Sequence, residues 1–316
     1  MYRRKIELME SYIVKHKDEL IRAASRSGGM FTALTDYVIN QGGVVYGCAL
    51  ENGIQAVHKR AATKEERDTF RGSKYVKSKM QGIITQIKED LLTGKIVLFS
   101  GTPCQVMAIK KQVGTSLSEK LICVDIVCHG TPSEKCWLKY VAFLQDKYKG
   151  KIQSVNFRNK NEFGWSAHVE TFLIGNKRYN LRQYTDLFYR HLLFPKACFT
   201  CKWKSLKRIG DITLGDAWGG KGEEKNFNDN KGVSLVLVNT DKGKKLFEQS
   251  KDSIIYKICD IKHYMQEPLY TNYSIPEDYE NFWMDMDNLS WHELYKKYSR
   301  TPWWKQVLRN IYYKIK

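Results

Sequence analysis

The sequence predicts an α/β fold, a mainly parallel sheet built from βαβ units with an α+β extension and a helical C-terminal tail. Two observations carry that reading. "LFSGTPCQ" (98–105) and "VCHGTPSE" (127–134) each place Gly-Thr-Pro directly after an apolar run, and each is followed by a helix-like stretch. Beyond Gly150 this alternation gives way to short strand-like segments broken by Gly, Asn and Asp.

The elements follow in chain order. In "SRSGGMFTALTDYVINQGGVVYGCAL", Phe31, Leu34, Val38 and Ile39 share one helical face, and Gly42 and Gly43 end the helix. Residues 44–50 then read as a buried strand. Residues 96–99 form a second strand, with Thr102 as N-cap and Pro103 as the first helical residue. Residues 121–127 repeat the pattern, with Thr131 as the cap, Pro132 as the start and a helix to about Tyr148. Both corners would lie at the carboxyl ends of parallel strands, where open α/β sheets bind ligands. "RIGDITLGDAWGG" and "GVSLVLVNT" supply later strands, "DKGKKLFEQ" a helix, and no strand signal follows Tyr270. The expected divisions are an N-terminal segment (1–20), a body (21–270) and a basic, aromatic tail (271–316).

The chain has 316 residues, 42% hydrophobic and 27% charged, the composition of an ordinary globular protein. Its N-terminus is positively charged without the apolar core of a signal peptide, so a cytoplasmic location is expected. A net charge of +18 points to an anionic partner, whether nucleic acid, acidic protein, membrane surface or phosphate-bearing ligand.

Eight cysteines are too few for a disulfide scaffold in a chain of this size. Cys48 and Cys123 fall inside strands, Cys136 on an amphipathic helix and Cys259 in an apolar run, and all four read as packing. Cys198 and Cys201 form a CxxC, which suits zinc, a redox dithiol or a pair of cluster ligands. With Cys104 and Cys128 at the two corners, four thiols are in hand, enough for structural zinc or a 4Fe–4S cluster. Lys196, Lys202, Lys204, Lys207 and Arg208 surround the CxxC; they could offset an anionic cluster, dock an acidic carrier or form a solvated loop.

Other candidates are weaker one by one. Ser25, Ser27, Gly28 and Gly29 open onto a helix, a phosphate-cradle pattern that ordinary Ser-Gly loops share. Arg71, Ser73, Lys74 and Tyr75 add cations and hydroxyls. Neither GxGxxG nor a Walker A motif occurs. His129 beside Cys128, and Asp216, are candidate proton donors by position. In the tail, Trp304, Leu308, Ile311 and Ile315 form an apolar stripe among basic residues, which fits either an anionic bilayer or the protein's own body.

Taken together, "SRSGGMFTAL", "GSKYVKS", "LFSGTPCQVMAIK", "DIVCHGTPS", "NFRNKNEFGW", "CFTCKWK" and "DITLGDAWGG" resemble the beta-subunit family of coenzyme F420 hydrogenase/dehydrogenase, which includes 7-hydroxymethyl chlorophyll a reductase. The likeness runs from about Ile21 to Asn239. It implies a flavoprotein holding FAD and a 4Fe–4S cluster, with Cys104, Cys128, Cys198 and Cys201 as cluster ligands. The Ser25–Gly29 loop, Ser73-Lys74-Tyr75, and Thr102, Pro103 and Gln105 would lie on the flavin side. Coenzyme F420 itself enters only through the family name. No CxxCxxC run precedes Ser25, which implies an external donor such as an acidic ferredoxin. Short relatives of this type accompany bacterial polysaccharide genes, so a small-molecule or glycan-linked acceptor is expected. Two other readings use the same features: a zinc-stabilised nucleic-acid-binding protein, and a non-catalytic scaffold on a membrane surface.

Overall fold

The computed structural model describes residues 9–302 continuously, together with residues 304–305, 308–309 and 312–313 of the tail. Eight strands form the main sheet: β1 (Glu10–His16), β2 (Val44–Glu51), β3 (Gln55–Ala61), β4 (Val97–Gly101), β5 (Leu121–Ile126), β9 (Ile212–Asp216), β10 (Ser234–Val238) and β11 (Ile254–Ile258). Their order is β11-β1-β10-β9-β5-β4-β2-β3. The middle four, β2, β4, β5 and β9, are mutually parallel, while the flanking pairs are antiparallel. The remaining strands, β6 (Ile152–Asn156), β7 (Glu170–Ile174) and β8 (Lys177–Leu181), form a separate antiparallel sheet. The segment after Gly150 therefore splits: part extends the main sheet, and part builds a second layer. The strand of the N-terminal segment, β1, sits inside the main sheet rather than outside it.

Period-two alternation explains the layers. Val45, Leu98, Ile122 and Val124 face the helices Met30–Asn40 and Asp241–Gln249. Their neighbours Val44, Tyr46, Val97, Phe99, Leu121 and Cys123 face the helices Ile83–Leu92 and Pro103–Val113 on the other side. A third core is aromatic: Trp137, Tyr140, Phe172, Tyr184 and Trp291 pack the second sheet against helices Glu134–Tyr148, Gln183–Tyr189, Tyr279–Asn288 and Trp291–Tyr298. Each such ring contributes about 1.5–3 kcal/mol of burial. The helices of the expected tail thus help to build this core. Beyond them Trp304 and Leu308 are exposed, whereas Arg309 is ion-paired to Asp186 at 2.9 Å; Ile311 and Ile315 lie outside the described residues. No helix among the described residues is long and apolar enough to cross a membrane.

One corner differs from expectation. The first Gly-Thr-Pro starts its helix at Pro103, and the Thr102 amide donates to Gln105 Oε1 at 3.0 Å. After the second, the helix starts at Glu134 with Ser133 as its N-cap. Residues 131–133 stay out of the helix because neighbouring chain holds them: Pro132 O accepts from the Lys77 amide and the Ser133 amide donates to Leu193 O.

Two side-chain environments yield tests. Gly28 lies so close to β1 and β10 that a Cβ there would stand 2.0 Å from Val14 O and 2.6 Å from Ser234 N. Both are strand backbone and cannot step aside, so Gly28→Ala should lower stability by about 1–3 kcal/mol in chemical denaturation; a loss below measurement error would show the loop to be movable. Glu170 is fully buried, accepts from Tyr140 Oη at 3.0 Å and from the Thr185 amide, and burial pushes its pKa from 4.5 up to about 7. The native state thus keeps a proton that the unfolded chain releases. Stability from this group is full below about pH 4.5 and falls as pH rises through about 7, by at most about 1.4 kcal/mol per pH unit. Glu170→Gln should therefore gain on the wild type between pH 5 and 7.5 in urea titrations; an unchanged difference between the two would refute the assignment.

Candidate functional site

The parallel register sets three strand ends on one rim. Thr102 and Cys104 follow β4, Cys128 and His129 follow β5, and Asp216 ends β9. β1 runs in the same direction as these strands, and the His16 amide at its end donates to Gly28 O at 2.7 Å, which brings the Ser-Gly loop to the rim as well. Above the rim lies a cavity of about 760 Å³. Ser25, Ser27, Gly29, Ser73, Lys74, Tyr75, Thr102, Gln105, His129 and Asp216 all line it. Sequence positions spread over nearly two hundred residues therefore share one space, of a size that suits a large cofactor.

Two of the expected lining residues do not face it. Pro103 is buried at the start of its helix, and Gly28 is packed against strand backbone. Several polar groups are also committed elsewhere. Ser25 Oγ donates to Ile21 O at 2.7 Å and Ser27 Oγ to Val233 O at 2.6 Å, so these hydroxyls shape the loop. The Lys74 ammonium donates to the carbonyls of Thr69, Phe70 and Arg71, and burial pulls its pKa down to about 8. Lys160, which carries no motif signal of its own, anchors the loop from outside by donating to Arg22 O, Ser27 O and Lys231 O.

Cys48 packs against the aromatic core, as expected, and also lines the cavity. Near it, a fixed chain of hydrogen bonds runs along the wall. His58 Nε2 contacts Ser100 O at 3.1 Å, His58 Nδ1 contacts Ser78 Oγ at 2.9 Å, and Gln105 Nε2 donates to Ser78 Oγ at 2.8 Å. Burial pulls His58 down to about 4, so it is neutral and donates from Nε2 to the carbonyl.

His129 sits between Tyr273 Oη, 2.8 Å from its Nδ1, and His191 Nε2, 2.9 Å from its Nε2. Burial, then His191 and Lys204, pushes its pKa down to about 3. At neutral pH it is an uncharged imidazole in a hydrogen-bonded chain. Asp216 is ion-paired to Arg26 at 3.0 Å, which gives its carboxylate the task of holding that guanidinium.

The four cysteines lie near enough for their charges to act on one another. Cys128 lines the cavity, and its thiol is pushed up to about 12 by burial and by the charges of Cys104, Cys198 and Cys201. Thr131, freed from capping, bonds to the Cys128 thiol through its side chain and to the Cys198 thiol through its backbone. Thr102 Oγ1 is 3.1 Å from Cys104 Sγ. All four thiols are free, and among the described residues no group of three or more His, Cys, Asp or Glu is set to grip a bare metal ion. The polar surroundings nevertheless suit an anionic thiolate centre. Lys204 is buried, its Nζ has no hydrogen-bond partner among the described residues, and the Cys128, Cys198 and Cys201 charges act on it directly. Its nearest ring is Tyr273, 3.9 Å away. An ammonium buried without a partner is costly, and an opposing negative charge removes that cost. The other expected counter-charges are placed differently: Arg208 pairs with buried Asp125 at 2.7 Å, and exposed Lys196 pairs with Glu280.

Residues missed by sequence reading complete the cavity: Arg26, His58, Arg158, His168, Tyr189, Trp218 and Tyr273. Three of them lie inside quoted motifs, Arg26 in "SRSGGMFTAL", Arg158 in "NFRNKNEFGW" and Trp218 in "DITLGDAWGG", where a single Arg or Trp carries no spacing signal of its own.

No curated protein matches the sequence. Among solved structures, one similar chain belongs to the F420-reducing [NiFe] hydrogenase complex from Methanosarcina barkeri. It shares 17% identity over 79% of this chain and 81% of that one, with a TM-score of 0.56, a likeness of fold. Residues 94–263, more than half of the sequence, match the family described as the C terminus of the coenzyme F420 hydrogenase/dehydrogenase beta chain, and the protein belongs to that family.

Proposed function

We propose that the protein is an oxidoreductase that holds FAD in the rim cavity and a 4Fe–4S cluster on Cys104, Cys128, Cys198 and Cys201. It would take electrons from an acidic, ferredoxin-like donor and pass them to a small-molecule or glycan-linked acceptor. One observation carries the reading: Cys128 belongs to both places, lining the cavity while its thiol feels the other three cysteines. A cluster exchanges single electrons and a flavin collects two, so the pair converts one-electron delivery into two-electron chemistry.

The chain's own residues do the rest. The loop over Ser25–Gly29, pinned by Lys160, Ser234 and Val233, gives the cofactor a rigid edge. Tyr75 and Phe188, with ring centroids 4.7 Å apart and planes tilted by 35°, supply an aromatic wall. The Tyr273–His129–His191 chain offers a path for protons, since each member can donate and accept. Lys204 balances the charge of the thiolates. Exposed Lys202 and Lys207 beside the CxxC form the basic surface against which an acidic carrier would dock.

Two measurements test this. Anaerobically purified protein should be brown, bleach with dithionite and contain flavin, iron and sulfide. Cys128→Ser should lose at least half of the iron and sulfide while retaining flavin. A colourless protein loaded with zinc, whose affinity for RNA falls steeply with salt, would replace the proposal with the nucleic-acid reading. Lys204→Gln should lower the cluster's midpoint potential by about tens of millivolts, because an anionic centre that loses its cation accepts an electron less readily; an unchanged potential in redox titration would separate Lys204 from the centre.

A further inference from the structure

One stretch of the cavity wall carries more positive charge than its partners balance. Arg26 and Arg158 both line the cavity, and both donate to the same carbonyl, Trp165 O, from 3.3 Å and 3.4 Å. The two guanidiniums therefore converge. Arg158 is buried and Arg26 nearly so, and one carboxylate, Asp216, meets Arg26. The remaining contacts of Arg158 are neutral: Ala167 O at 2.9 Å, Tyr75 Oη at 3.0 Å and Tyr189 Oη at 3.3 Å. Among the described residues, two cations thus face one anion. The surplus is felt nearby, where His168 is pushed down to about 3 by burial and then by Arg158, Arg182 and Arg26. It is also felt at Lys160, lowered to about 7 by burial, Arg26 and Arg22.

The same wall offers neutral donors and a platform. Tyr75 and Tyr189 accept from Arg158 through their hydroxyl oxygens, which leaves each hydroxyl hydrogen for another acceptor. Trp218 lines the cavity and stacks on buried Trp165 with centroids 4.0 Å apart. A guanidinium pair with hydroxyl donors and a flat indole suits a planar or phosphorylated anion.

We propose that Arg26, Arg158 and Tyr189 receive an anionic group of the electron acceptor, a carboxylate or phosphate, with Trp218 alongside it. The acceptor is then an anionic small molecule or phosphorylated glycan, and a neutral sugar is excluded. This rests on the cavity being the redox site proposed above. A phosphate group could come from the acceptor or from the pyrophosphate of the flavin dinucleotide, and the test separates the two.

Flavin-loaded protein is titrated with inorganic phosphate at constant ionic strength, with tryptophan fluorescence and melting temperature as readouts. The wild type should respond saturably, and Arg158→Met and Arg26→Gln should each bind phosphate at least tenfold more weakly while keeping their flavin. Exposed Lys149→Met is the control and should bind like the wild type. If Arg158→Met does not fold, Arg26→Gln decides. Loss of flavin together with phosphate affinity would assign the arginines to the cofactor and overturn the proposal, as would a wild type with no saturable response. If the wild type takes up no flavin, the proposed function fails by itself, and the same titration on the flavin-free chain still reads the arginine pair.

Discussion

The parallel register of β4, β5 and β9 is the constraint on which the site depends. Gly101 pairs with Asp125 and Ile126 with Leu214, so the three strands end nearly level. That alignment turns three separate chain reversals into one rim and gives Cys104, Cys128 and Asp216 a common neighbourhood. A buried ion pair fixes the fourth participant. Arg208 reaches Asp125 at 2.7 Å and also donates to Trp203 O and Ser205 O. The loop that carries Lys204 and follows the CxxC is thereby tied to the strand that leads into Cys128. Removing one partner of such a pair leaves a buried charge unmatched, so the loss of either Arg208 or Asp125 is strongly destabilising.

This explains why so much of the architecture was legible in the sequence. Val97, Leu98 and Phe99 could be read as a buried strand because parallel strands covered on both faces are apolar throughout. Gly-Thr-Pro then marked the corner. That the two corners would share one rim followed from the general rule for strand ends. The second corner was misread because Thr and Pro satisfy helix-start statistics locally, whereas Leu193 and Lys77, distant in sequence, hold residues 131–133 out of the helix. The strand Glu10–His16 was missed for a similar reason: "ESYIVKH" is polar at both ends, and only its pairing with β10 and β11 makes it a strand.

The side chains that give the site its charge were harder to find. Fifty-two basic residues make any one lysine or arginine anonymous, and a net charge of +18 points attention to the surface. Yet Lys202 and Lys207 are exposed to water that screens them, while Lys204, between them in sequence, is buried and its ammonium has no hydrogen-bond partner among the described residues. Arg26 and Arg158 are hidden in the same way. Their field in the cavity is weakly screened, so they outweigh many surface charges in deciding what binds there.

These buried cations fall into two sets with different work. Lys204 feels the charges of the cysteines, and if they hold the proposed cluster it would favour the reduced state. Arg26 and Arg158 face the cavity on the Trp165 side, where they favour an anion arriving from solution. Cys128, His129 and Tyr273 lie between, as residues that line the cavity and also touch the surroundings of the cysteines. A site built only to bind an anion would have no need of the first set, and a site built only to hold a thiolate centre would have no need of the second. Under the proposed function, these two sets would serve the sulfur centre and the anionic acceptor separately, with Cys128, His129 and Tyr273 as the residues common to both surroundings.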